Sequence, residues 1–244
     1  MNRLLSAAFF LLAACGMLPA APEFQAWVAE GYTRRPPLDG WKATARLMAR
    51  DWPRSSVESG SSAESLRSFL QAAAGRPVVL YLAAHHEPGG QVDLPGSGPV
   101  SWLELWPRSG TENWIVVLDL CHARAAALPT GAAACLLFTA EAQEKTWELG
   151  LFSPRTSPLA GTGQPLASLR EALGPDWNGR ISAWGLGWAL SAGPRPVLPQ
   201  DWQQRLLRAQ GALKSLPVRR SWDFRSSFSL LQPPYLPSAT PPNP

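Results

Sequence analysis

Two apolar runs constrain this chain more than any other feature: Val78-Val79-Leu80-Tyr81-Leu82 and Ile115-Val116-Val117-Leu118. Each is continuous rather than alternating, the pattern of a central parallel strand covered on both faces by helices. Each also runs straight into polar, reactive groups: His85 and His86 after the first, Asp119, Cys121 and His122 after the second. In open α/β sheets, ligands gather just outside the carboxyl ends of the strands. The two runs therefore bring a cysteine and a histidine to one edge. That is the minimum for thiolate nucleophilic catalysis, provided the base reaches within about 3 Å of the sulfur. The competing reading is an inert cysteine, since free Cys is among the most often buried residues.

The flanking sequence predicts the rest of such a sheet. Phe24 to Ala29 reads as the first strand, and Arg34-Arg35-Pro36-Pro37 as loop, because proline lacks the ladder donor. Asp39 opens a helix with Trp41, Ala45, Met48 and Trp52 on one face, and Pro53 stops it. A short strand around Val57 follows, then a helix opened by a Ser61/Glu64 capping box, with Leu66, Phe69 or Leu70, and Ala73 turned inward. Glu87 to Pro99 is rich in Gly and Pro and reads as an exposed loop. Ser101 then caps one or two helical turns at Trp102 to Leu105. Ala132 to Thr139 reads as a strand, Pro165 to Leu173 as a helix, and Ile181 to Leu190 as a strand at the far side of the sheet. Asp201 to Leu216 reads as a helix with Trp202, Leu206, Ala209 and Leu213 inward. The order predicts an α/β fold, an open, mostly parallel sheet flanked by helices in three α/β/α layers.

The ends of the chain read differently. Arg3 precedes an apolar stretch, Leu4 to Leu12, too short to cross a membrane at about 20 residues, which is the pattern of a signal peptide. It ends in Leu12-Ala13-Ala14-Cys15, which resembles a bacterial lipobox. On that reading Cys15 takes a diacylglycerol and anchors the protein to a membrane in the bacterial cell envelope. Cleavage near Ala20 or Ala21 is the alternative and gives a periplasmic or secreted protein. The expected layout is signal and linker over 1–21, one domain over 22–225, and an extended proline-rich tail over 226–244.

With 22 Lys and Arg against 18 Asp and Glu, the balance does not point to nucleic acid. The basic cluster from Arg205 to Arg225 reads as a solvated face. Beyond Cys15 the only cysteines are Cys121 and Cys135. A bridge between them would consume the proposed nucleophile, whereas Cys135, inside Ala-Cys-Leu-Leu-Phe, reads as buried and unreactive. The chain has no phosphate-binding glycine loop, dinucleotide fingerprint or Gly-x-Ser-x-Gly elbow.

At the residues that carry chemistry, the sequence resembles the caspase-like cysteine peptidases, in particular the bacterial relatives of caspases and metacaspases. The motifs are Tyr-Leu-Ala-Ala-His-His at Tyr81 to His86, Asp-Leu-Cys-His-Ala at Asp119 to Ala123, and the stretch Leu136 to Pro154. The strand, loop with Leu-x-Gly, helix, strand and helix ahead of them follow the same order, so the resemblance covers Phe24 to Leu173. It implies a caspase-like sheet and a cysteine endopeptidase that acts on peptide or protein substrates without a cofactor. His85 would be the general base and acid and Cys121 the nucleophile. The backbone N–H groups of His86 and Cys121 would form the oxyanion hole. Asp119 would help form an acidic pocket that selects cleavage after Arg or Lys; the alternative role for Asp119 is hydrogen bonding to backbone amides at the strand end.

His86 and His122 are not expected to bind a metal, because adjacent side chains such as those of His85 and His86 diverge on a strand. The sequence departs from the family pattern where Ala84 and His86 replace the glycines flanking the histidine, and where Ala123-Arg124 replaces Ser-Gly after Cys-His. A Cβ or imidazole there narrows the approach of a substrate backbone. The alternative function is therefore a catalytically impaired relative that serves as an envelope-associated binding or structural protein, its cleft filled by His86, Arg124 or the tail.

Overall fold

The computed structural model describes residues 22–151, 164–191, 199–214 and 229–231. Residues 1–21, with the expected signal peptide and Cys15, the stretch 152–163 and most of the proline-rich tail lie outside the described residues.

The core is a six-stranded sheet. Its parallel strands are β1 (Glu23–Ala29), β2 (Ser55–Gly60), β3 (Val78–Ala83), β7 (Trp114–Leu118) and β8 (Cys135–Phe138). A sixth strand, β11 (Ser229–Leu231), adds antiparallel to β8, so the start of the tail is laid along the sheet edge. The spatial order is β11-β8-β7-β3-β1-β2. Every residue of β3 and β7 is buried, as their unbroken apolar sequence requires. Together with the helices this is an α/β fold with a mostly parallel sheet, in a generic three-layer arrangement.

The chain leaves β1 through helix α1 (Asp39–Ala49) to reach β2, then returns through α2 (Ala63–Ala73) to β3 on the other side of β1. With right-handed crossovers, this reversal puts α1 and α2 on opposite faces of the sheet. It also places a switch point between β1 and β3, where a crevice opens at the strands' carboxyl ends. Strand β3 continues past Ala84 into a separate small sheet of β4 (His85–His86), β5 (Gln91–Leu94) and β6 (Gly98–Ser101). A four-residue helix, α3 (Trp102–Leu105), then leads back to β7.

Past β8, β9 (Glu148–Gly150) pairs with β10 (Arg180–Ser182) in a two-stranded ribbon. Helices α4 (Gln164–Leu173), α5 (Ala183–Leu190) and α6 (Pro199–Lys214) complete the described chain. On α6, Trp202, Leu206 and Ala209 face the core as their spacing predicts. Trp202 stacks on both Trp52 and Trp188.

Three expectations need correction. The stretch Glu87 to Pro99 is not an exposed loop but most of the small sheet, with Val92 and Leu94 fully buried. Ile181 to Leu190 is not a strand of the main sheet: Ser182 caps a helix by accepting from Gly185 N–H at 3.0 Å. The cap of α2 is Ser62 with Ser65 as its reciprocal partner, one residue later than the Ser61/Glu64 pair. Helix α1 has no side-chain cap of its own; the carboxylate of Glu148 reaches across to accept from Gly40 N–H at 2.9 Å.

Candidate active site

Three loops converge at the carboxyl edge of the sheet. The segment after β1 supplies Pro36, Pro37 and Leu38, the end of β3 supplies Ala84 and His85, and the end of β7 supplies Cys121. With Trp41 of α1 and Thr146, Trp147 and Glu148 on the approach to β9, they enclose a cavity of about 250 Å³. The two residues that the sequence singled out as nucleophile and base thus share one cavity. Cys121 is partly accessible and Cys135 buried, and both thiols are free, so no bridge consumes Cys121. Burial pushes the Cys135 thiol up to about 11, which keeps it protonated and inert.

His85 is held at both ends. Its ring Nε2 lies 2.9 Å from the carbonyl oxygen of Pro36. A carbonyl only accepts, so Nε2 carries a proton and Nδ1 is the nitrogen free to exchange one. On the main chain, His85 N–H donates to the Tyr32 hydroxyl at 3.1 Å, and that hydroxyl donates to the Asp93 carbonyl at 2.6 Å. The Tyr32 oxygen thus sits between β4 and β5 at the pair His85/Asp93, with its ring edge-on to the imidazole at 4.6 Å. Burial pushes the Tyr32 hydroxyl up to about 12, so it remains a donor. Partial burial lowers the pKa of His85, the Pro36 carbonyl opposes that shift, and Arg35 adds to it. Arg35 itself is clasped between Glu87 and Asp93.

Around Cys121 the turn is strained. His122 has φ 54° and ψ 29°, the only described non-glycine residue in the left-handed region, at a cost of about 1–3 kcal/mol. It is held there by His122 N–H donating to the Glu144 carbonyl at 2.6 Å and by Nδ1 at 3.0 Å from the Ala142 carbonyl. The Cys121 Sγ lies 3.8 Å from both the carbonyl and the hydroxyl oxygen of Thr146.

His86 does not enter the cavity. Its Nε2 accepts from the Trp102 indole at 3.0 Å, and burial pushes its imidazole down to about 4, with the Cys121 backbone pulling the other way. The ring is therefore neutral at ordinary pH. Glu87 N–H donates to Gln91 C=O at 2.9 Å, which makes 87/91 a bonded pair and 86/92 a non-bonded one. The His86 N–H is consequently directed out of the β4–β5 ladder, away from β5. Arg124 is also turned aside, 3.5 Å from Glu141 and over the ring of Phe138.

Asp119 is placed differently from the expectation. Its carboxylate is 1 % exposed and is not part of the described cavity wall. It accepts from Tyr81 at 2.7 Å, Ser182 at 2.8 Å and Thr139 at 3.1 Å. These are side-chain donors rather than the backbone amides of the alternative reading. Burial raises its pKa and the hydroxyl donors oppose the rise. Trp41, which favours the charged form of Asp119, also lines the cavity.

The sequence reading missed Tyr32, Pro36, Trp41, Thr146 and Trp147 as site residues. The clearest available signal was Trp147, a lone aromatic in a charged stretch, which stands half exposed at the cavity. No protein-family model matches the chain, and no curated protein matches its sequence.

Proposed function

We propose that the protein is a cysteine endopeptidase of the caspase-like type, with Cys121 as nucleophile and His85 as general base and acid. The observation that carries this reading is that both side chains line one accessible cavity at the switch point of the sheet. The fixed ring of His85 supports it, because Nε2 is committed to Pro36 and Nδ1 is left for proton exchange. In the reaction, Nδ1 takes the thiol proton and Cys121 Sγ attacks the peptide carbonyl carbon. The tetrahedral oxyanion is met by the backbone N–H groups of His86 and Cys121, and the proton on Nδ1 passes to the leaving amine as the C–N bond breaks. Water, deprotonated by Nδ1, then attacks the thioester carbonyl, and Sγ leaves as the thiol. A donor aimed at the oxyanion is worth about 3 kcal/mol of barrier, so the outward direction of the His86 N–H matters as much as the base.

The substrate reading is cleavage after Arg or Lys. Glu148 is the acidic residue of the cavity wall, paired with Arg180, and Glu87 and Asp93 clasp Arg35 next to Pro36 of that wall. Asp119, set behind Trp41, adds negative charge there in its ionised form. Trp41 and Trp147 supply aromatic faces for a cation. Asp119 would thus act through the field and through Trp41 rather than by direct contact. In the same reading Cys15 carries the lipid anchor in the cell envelope. Of the fillers named for the catalytically impaired alternative, His86 and Arg124 are engaged elsewhere, and the tail after Leu231 lies outside the described residues.

Internally quenched peptides that differ only in the residue before the scissile bond test the proposal. Turnover of the Arg and Lys peptides, lost in Cys121→Ala, is expected. Equal background hydrolysis by parent and variant across the whole panel would remove the enzyme reading.

A further inference from the structure

The segment that joins β8 to β9 crosses the cysteine turn and is fastened to it. Arg124 N–H donates to the Ala140 carbonyl at 3.1 Å, and His122 N–H to the Glu144 carbonyl at 2.6 Å. The His122 ring adds Nδ1 at 3.0 Å from the Ala142 carbonyl. Within the segment, Glu144 N–H donates to the Glu141 carbonyl at 3.0 Å and Glu141 N–H to the Glu144 carboxylate at 3.2 Å. The chain is caught again on the other side, where Ala183 N–H donates to the Trp147 carbonyl at 2.9 Å and Glu148 enters the pairing of β9 with β10. Only Lys145 and Thr146 lie between these two sets of anchors. The position of Thr146 is therefore set from both sides.

That position brings both oxygens of Thr146 to one sulfur. The Cys121 Sγ lies 3.8 Å from the carbonyl and 3.8 Å from the hydroxyl, and both residues line the cavity. The two oxygens are not equivalent. A carbonyl only accepts, so it can bond a thiol S–H but offers a thiolate nothing. A hydroxyl also donates, so it can bond the thiolate. The Thr146 hydroxyl has no second partner among the described residues and can turn its proton to the sulfur. Bonds of this length suit a neutral thiol, a weak donor and a weak acceptor. A charged acceptor shortens such a bond and roughly doubles its strength, so the hydroxyl gains most when the sulfur ionises.

We infer that Thr146 is a further catalytic residue of the same site: its carbonyl accepts the Cys121 S–H at rest, and its hydroxyl donates to the thiolate once the proton has left. The inference rests on the peptidase reading, in which His85 Nδ1 takes that proton. Thr146 keeps its own proton throughout and is consumed in no step. It stabilises the nucleophile without competing for the base.

Two substitutions separate this hydrogen-bonding role from a packing role. Thr146→Val keeps the shape and the main-chain carbonyl and loses the hydroxyl, whereas Thr146→Ser keeps the hydroxyl and loses the methyl group. The readout is the rate at which iodoacetamide alkylates Cys121 in the full chain at pH 7 and at pH 10, by mass spectrometry of its peptide, with turnover of the Arg and Lys peptides measured beside it. Thr146→Val should slow alkylation about tenfold at pH 7. At pH 10, where a free thiol ionises with or without a donor, it should slow it less than about twofold. Thr146→Ser should stay within about twofold of the parent at both. A Val variant that reacts like the parent at pH 7, a Val variant slowed equally at both pH values, or a Ser variant slowed as much as Val would each overturn the inference. Alkylation does not require peptide cleavage, so the two readings fail separately. Peptides left uncut by a parent that still shows the pH 7 difference from Thr146→Val would remove the peptidase reading and keep Thr146 as the donor to Cys121.

Discussion

The ring nitrogen Nε2 of His85 lies 2.9 Å from the carbonyl oxygen of Pro36, which leaves Nδ1 as the nitrogen available for proton exchange. Burial lowers the His85 pKa below its usual 6.5. The neutral base is therefore retained below that pH, and the acidic limb of kcat/KM should fall below it. Arg35 contributes to the lowering, whereas Asp93 and Glu87 oppose it. Arg35→Gln should move the acidic limb to higher pH with little change on the alkaline side. A limb that stays in place, or moves down, would separate His85 from the rate profile.

Tyr32 orients the same histidine from the main chain. Its hydroxyl accepts from His85 N–H and donates to the Asp93 carbonyl. Tyr32→Phe leaves both groups without that link and lets the β3–β4 junction drift. A misplacement of about 1 Å can cost about 100-fold in rate, while one lost hydrogen-bond bridge costs about 1–2 kcal/mol of stability. The expected result is a fall in kcat far larger than any change in KM, with a folded protein by circular dichroism.

Asp119 distinguishes a structural carboxyl from one that sets specificity. Asp119→Leu leaves the buried hydroxyls of Tyr81, Ser182 and Thr139 without an acceptor and should cost about 3 kcal/mol or more in urea unfolding. Asn keeps an oxygen for two of them, so Asp119→Asn should cost about 1 kcal/mol or less and lower the preference for Arg over neutral residues. Its pH signature is also distinct. Burial raises this pKa above its usual 3.8, so the folded state binds the proton more tightly and this group's contribution to stability falls as pH rises through that window. The Asn variant should lack that slope.

His86 gives the opposite slope. Its folded-state value of about 4 lies below the usual 6.5, so between those values the unfolded chain binds more protons. Stability should therefore rise with pH across that window, by up to about 3 kcal/mol. His86→Gln keeps an acceptor for the Trp102 indole and removes the titration. Its stability should be nearly flat over the same range in denaturant titrations.

The strand ends at His85 and Cys121 were legible because unbroken apolar runs such as Val78 to Leu82 have few other ways to be buried. The α6 stripe of Trp202, Leu206 and Ala209 was legible from helical spacing. The same spacing places Arg205 on that stripe, three positions after Trp202, and its charge masked the phase. The α5 segment was misread because it is apolar all round, so a buried helix carries no amphipathic pattern there; Ser182 was its only start signal. The small sheet was hidden by short strands among turn residues, with only Val92 and Leu94 alternating inward. Asp119's partners were illegible because Tyr81, Thr139 and Ser182 meet only through the fold.

The most direct test of the central claim is the alkylation rate of Cys121 by iodoacetamide, followed by mass spectrometry of its peptide, in the parent and in His85→Ala. If His85 activates the thiol, Cys121 in the parent should react at neutral pH at least tenfold faster than in the variant, and far faster than buried Cys135. Equal Cys121 rates in the two folded proteins would contradict the account.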